Sequence, residues 1–129
     1  MIAGGAGIGM ATIDAIQYYG KKAYNFLDLG GTTREKTYAA MDLLLHTPQV
    51  KGIIANLFGG VNNCLTMAEG IRDAILKSRA EGLDKPCVIK SRGYNQEEGW
   101  QIYSKLNLQQ VKYGTTDDAV KKLIQLMKE

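Results

Sequence analysis

The residues best suited to chemistry lie between Lys51 and Cys64, KGIIANLFGGVNNC, an apolar strand that ends in Phe58-Gly59-Gly60 and passes through Val61-Asn62-Asn63 into a long amphipathic helix. That pattern suits the holding of an anion. Two glycines let backbone N–H groups come close to a phosphate, Asn62 or Asn63 can cap, and the helix N-terminus adds roughly half a positive charge. A related junction opens the chain, where Met1-Ile2-Ala3 runs into Gly4-Gly5-Ala6-Gly7-Ile8-Gly9 and a helix. It is not a dinucleotide fingerprint, because the glycines at 5, 7 and 9 lack the third spacing, and Asp28, the nearest acidic residue, lies one residue before the second strand ends.

These turns need a sheet to position them. Strand-like runs at Tyr24 to Leu29, Gly52 to Phe58, Cys87 to Ser91 and Gln109 to Lys112 are separated by helical patterns, which is βαβ punctuation. Helical spacing is plain in Met41, Leu44 and Leu45, in Cys64, Met67, Ala68, Ile71 and Ile75, and in Val120, Leu123, Ile124 and Met127. The run GIIANLF is almost continuously apolar, as expected of a central parallel strand covered on both faces. Ten of the fifteen glycines (4, 5, 7, 9, 30, 31, 59, 60, 93 and 114) fall at or just after the C-terminal end of a predicted strand. They gather on the edge where open α/β sheets bind ligands, although βα turns favour glycine for their own conformational reasons.

At 129 residues, with 45% hydrophobic and 22% charged, the chain has the length and composition of one compact globular domain. The net charge of +3 comes from scattered basic residues, with no run longer than Lys21-Lys22 or Lys121-Lys122, so neither nucleic acid nor an anionic membrane is implied as a partner. No apolar run approaches the roughly 18 residues of a spanning helix, and the N-terminus lacks the pattern of a signal peptide. Cys64 and Cys87 lack metal-ligand spacing and suit a reducing compartment, so the expected location is cytoplasmic. The first strand, barely three residues long, leads us to expect a fragment of a longer polypeptide or a subunit completed by a partner.

The other candidates have structural explanations beside functional ones. His46, before Thr47-Pro48, suits the negative end of a helix, where an imidazolium can donate to open carbonyls. Cys64 could be activated by a helix dipole, but its place on the apolar stripe argues for a small buried hydrophobe. Glu97 and Glu98 suit the first turn of a helix, and adjacent carboxylates point to different faces, so they form no acid/base dyad. Tyr18, Tyr19, Tyr24, Tyr38, Trp100 and Tyr103 can serve half-buried core positions or, for a subset, an interface.

Four ordered motifs then carry a resemblance over the whole chain. GGAGIGMATID, NFLDLGG, KGIIANLFGGVNNC and GYNQEEG together resemble the C-terminal domain of the β subunit of succinate-CoA ligase, related to parts of ATP-citrate lyase and malate-CoA ligase. The resemblance implies a flavodoxin-like, doubly wound, three-layered fold with a five-stranded parallel sheet in the order 2-1-3-4-5. It implies a role in a ligase that couples nucleoside triphosphate cleavage to thioester formation through a phosphohistidine. That histidine belongs to an α-like CoA-binding partner subunit, and the nucleotide-grasp domains that precede this region in the family are not in these 129 residues. The complex would use ATP or GTP, Mg and CoA; this chain alone would bind none of them and would not be catalytically competent.

The implied phosphate- or substrate-binding positions are Gly59, Gly60, Val61, Asn62 and Asn63, with Gly4 and Gly5, and the implied role is binding without proton transfer; no catalytic or metal-binding residue is assigned. Several positions depart from the family pattern. Gly4 replaces a substrate-contacting Asn, Asn63 stands where an Arg is common, Leu65 where an Asp is common, and Arg92 where the family carries an acidic residue. Those departures leave open a non-catalytic interaction or regulatory domain that keeps the fold, while an FMN-binding flavodoxin follows from fold alone. For Arg92 the open readings are service to an anion and a solvated rim.

Overall fold

The computed structural model describes residues 2–3, 27–28, 33–59 and 63–128. Parallel ladders join β1 (Ile2–Ala3), β2 (Leu27–Asp28), β3 (Ile53–Gly59), β4 (Cys87–Gly93) and β5 (Gln109–Gln110) in the order β2-β1-β3-β4-β5. The longest ladder runs in register from Ile53 against Cys87 to Gly59 against Gly93, whereas β1, β2 and β5 each contribute two residues. The strand read at Gln109 to Lys112 therefore pairs only over its first half. Among the described residues the helices are α1 (Arg34–Leu45), α2 (Cys64–Ala80), α3 (Gln96–Lys105) and α4 (Thr116–Lys128).

Alternation along β3 sends successive side chains to opposite faces, and both faces are covered, which explains why its run is apolar except at Asn56. Ile53, Ala55 and Leu57, with Cys87 and Ile89 of β4, meet the apolar stripes of α1, α2 and α3. Ile54 and Val88 face the other way, onto Ala119, Val120 and Leu123 of α4. The result is a parallel α/β domain with helices on both faces, the fold class expected. The helical stripe of α2 is buried at each position read from its spacing, Cys64, Met67, Ala68, Ile71 and Ile75. On α4 the stripe fades toward its end, where Met127 is 38% exposed and lies over Gly52.

Trp100 and Tyr103 are core residues, and Tyr38 packs against the same core; Tyr18, Tyr19 and Tyr24 lie outside the described residues. The indole of Trp100 donates to the Ser91 carbonyl at 2.7 Å, so the ring is fixed between α3 and β4. Helices α1 and α2 run side by side, held at the top by Arg34, whose guanidinium donates to Asp73 Oδ2 at 2.9 and 2.7 Å. His46 is the C-cap of α1, as its position before Thr47-Pro48 suggested; Nδ1 lies 2.8 Å from the Asp42 carbonyl and Nε2 3.0 Å from Glu81 Oε1.

Candidate functional site

The C-terminal edge of the sheet collects strand ends and helix starts. Gly59 and Gly93 close β3 and β4 at the same register position, and Gly114 stands between β5 and α4. Of the expected binding positions, Gly59 ends β3 and Asn63 precedes α2; Gly60, Val61, Asn62, Gly4 and Gly5 lie outside the described residues.

Asn63 is the N-cap of α2, with extended backbone, and its Oδ1 accepts from the Leu65 N–H at 2.8 Å. The same oxygen accepts from Asn95 Nδ2 at 3.1 Å. The Cys64 N–H donates to the Tyr94 carbonyl at 2.9 Å. Two of the first amides of α2 are thus satisfied within the chain, and the asparagine side chain links α2 to the β4–α3 turn. Cys64 itself is fully buried, so the packing explanation holds for it.

That second turn is built by left-handed backbone at Gly93 (φ 124°) and Asn95 (φ 60°). Asparagine tolerates this conformation better than other side-chain-bearing residues, and GYN is the signal that makes the turn legible in the sequence. Gln96 Oε1 accepts from the Gly93 N–H at 2.9 Å. Glu97 and Glu98 occupy the first turn of α3, as expected of acidic residues at a positive helix pole. The depression over this end is lined by Gly93, Asn95, Gln96, Glu97 and Glu98. Its carboxylates repel an anion, which removes the α3 terminus as a phosphate site.

Helix α4 starts with a reciprocal cap: the Thr115 N–H donates to Asp118 Oδ2 at 2.9 Å and the Asp118 N–H to Thr115 Oγ1 at 3.1 Å. The bond from the Thr115 N–H, above all, holds the Asp118 carboxyl below the usual range. Asn56, buried near the end of β3, donates to Thr116 Oγ1 at 3.1 Å and ties the sheet to this helix start.

Arg92 is half-buried. Its Nε donates to Gln96 Oε1 at 3.3 Å, one terminal nitrogen donates to the Lys112 carbonyl at 3.2 Å, and the guanidinium lies 4.9 Å from the centroid of the Tyr113 ring. It sits half-buried at the rim, where neutral acceptors and a ring hold it in place. Lys90, two residues earlier and also half-buried, was missed in the sequence, although Val88-x-Lys90-x-Arg92 alternation places all three on one face. Burial and the charge of Arg92 hold its pKa below that of an ordinary lysine. Among the described residues no group of three or more His, Cys, Asp and Glu side chains is arranged to hold a metal, and no helix is long and apolar enough to cross a membrane.

A parallel sheet with helices on both faces and their N-termini gathered on one edge defines an α/β domain of the Rossmann or flavodoxin type. More narrowly, the chain belongs to the CoA-ligase family, whose model matches residues 2–124. It is similar to the β subunit of the ADP-forming succinate–CoA ligase of Maricaulis maris, 40% identical over 126 residues, covering 97% of this chain and 31% of that protein. The corresponding subunit from Bartonella quintana is 42% identical over 121 residues, covering 93% of this chain and 30% of the other. The chain therefore spans about a third of the length of the curated relatives it matches. Among solved structures, the dinucleotide-forming acetyl-coenzyme A synthetase 1 of Ca. Korarchaeum cryptofilum shares the fold, with a TM-score of 0.77 at 19% identity, over 95% of this chain and 31% of that one.

Proposed function

We propose that this chain serves as the C-terminal domain or a subunit of an NDP-forming acyl-CoA ligase of the succinate-CoA type, holding a phosphoryl group or a partner's phosphohistidine loop at the start of α2. One observation carries the reading: in a member of the CoA-ligase family, the central strand β3 ends at Gly59 on the C-terminal edge of the sheet, and α2 begins at Cys64, directly after its cap Asn63. The fold supports it. We take the sheet as the flavodoxin-like, doubly wound 2-1-3-4-5 arrangement, whose strand order reverses between β1 and β3, so that Gly4 and Gly5 follow one strand of the crevice and Gly60, Val61 and Asn62 the other.

The mechanism proposed is electrostatic. Backbone amides of residues 60–62 and the α2 dipole stabilise the phosphoryl charge while the partner's histidine accepts or returns it. A helix terminus contributes typically 0.3 to 1 kcal/mol per charge and up to about 2 when partly buried. Since Cys64 and Leu65 already spend their amides inside the chain, a second helix terminus from an α-like CoA-binding subunit is needed to complete the clamp. We assign ATP or GTP, Mg and CoA to that subunit and to a nucleotide-grasp domain, and the location to the cytoplasm.

A second reading, a non-catalytic interaction or regulatory domain, is favoured by Asn63, whose side chain is an internal strut at a position where the resembled family commonly carries a cation. Affinity capture from native cells decides between them. The ligase reading expects an α-like CoA-binding chain or a nucleotide-grasp chain to co-purify, with a phosphate-dependent rise in melting temperature. Recovery of neither, with no phosphate effect, overturns it.

A further inference from the structure

The cations of this domain are compensated unevenly. On the α1–α2 flank they are compensated: Arg34 meets Asp73 and Glu69, Arg72 meets Asp73, Lys77 meets Asp42, and Arg79 meets Asp84, all within 4 Å. The C-terminal end of β4 differs. Lys90 and Arg92 form no ion pair among the described residues, and both are half-buried. Alternation puts them on the same face of β4, the face of Val88 and α4, about 7 Å apart along the strand.

Such an arrangement is unfavourable by itself. Withdrawing a cation from water without a counter-charge is costly, and two like charges neighbouring on one strand face repel. Arg92 is nevertheless held rigidly by Gln96, the Lys112 carbonyl and the Tyr113 ring. Those bonds use Nε and one terminal nitrogen, and among the described residues the second terminal nitrogen has no acceptor. At the start of α4 the carboxylate of Asp118 is committed to the cap at Thr115. The start of α4 lies on the same face and edge, joined to the sheet by Asn56 and Thr116.

We propose that Lys90 and Arg92 form an anion-binding site at the C-terminal end of β4, which takes a doubly charged oxyanion of the phosphate type. A dianion between them turns the like-charge repulsion into two attractions, and a planar guanidinium with a free edge suits the oxygens of such a group. The site is built from residues of β4 rather than of the β3–α2 turn and does not depend on the function proposed for that turn. The depressed basicity of Lys90 supplies a second signature, because a bound anion raises it toward the ordinary value.

The test is an NMR titration of the full 129-residue chain with inorganic phosphate, compared with K90M, R92M and N63D, and with chloride at matched ionic strength. The site expects saturable shifts at the Lys90 side-chain amine and the Arg92 Nε, a rise in the Lys90 pKa, and about tenfold weaker binding in each of K90M and R92M, with N63D unchanged at this site. Each variant is first checked for the parent's amide spectrum. Equal affinity in K90M, R92M and the parent overturns the proposal. So does a response that chloride reproduces, or one confined to the residues around Asn63.

Discussion

Asn95 Nδ2 donates to Asn63 Oδ1 at 3.1 Å, across a separation of 32 residues, and so joins the start of α2 to the turn that opens α3. Because the same oxygen caps Leu65, one side chain both ends the β3–α2 turn and fixes its distance from the neighbouring one.

Replacing that acceptor separates its roles. N63A is expected to lower stability by about 1 kcal/mol, the usual cost of losing an N-cap, while N63D keeps an acceptor and stays close to the parent. Urea denaturation measures both. A loss below a few tenths of a kcal/mol in N63A would mean that water replaces the cap and that Asn63 is no strut.

Helices α1 and α2 meet through Gly70, where an added Cβ would lie 2.6 Å from the Arg34 carbonyl oxygen and 2.8 Å from Thr37 Cβ. Backbone cannot swing aside as a flexible side chain can. G70A is therefore expected to cost about 1 to 3 kcal/mol by overpacking, despite the better helix propensity of alanine. A thermal melt no lower than that of the parent would show that the two helices can part without penalty.

His46 makes stability depend on pH. Its bond to the Asp42 carbonyl, then its contact with Glu81, raise its pKa above that of a free histidine. A folded-state pKa above the unfolded value means that the contribution is fully present below about pH 6.5 and is lost as pH rises through the folded pKa. The stability difference between parent and H46Q should therefore be largest in mild acid and shrink above neutrality. An NMR titration that places the His46 pKa at or below the free value refutes the assignment.

Both cysteines are buried, and burial pushes the Cys87 thiol up to about 12. Neither should react with a thiol reagent at pH 8 in the folded state, and both should react quickly in denaturant. Rapid labelling of the native protein would show that the core around β4 opens readily.

The architecture was unusually legible. Period-3.6 stripes named most of the buried residues of α1 and α2, and the seven-residue apolar run named the strand covered on both faces, because these patterns are direct consequences of where a helix or a central strand must face. The turn residues were legible only as types. Asn63 was marked as a cap candidate, but its bond to Asn95 depends on two turns meeting, and no local pattern encodes a contact over 32 residues.

Residue order by itself determined the strands, the helix faces, the glycines at the sheet edge and the family, since each follows from local periodicity or from ordered motifs. Tertiary structure alone decided how the charges are compensated. Arg34 finds carboxylates on the neighbouring helix, whereas Arg92 finds a glutamine, a carbonyl and a ring, and Lys90 forms no ion pair among the described residues. Charge pairing is a matter of distance in space and of burial, and the parallel crossovers that bring distant segments together set both.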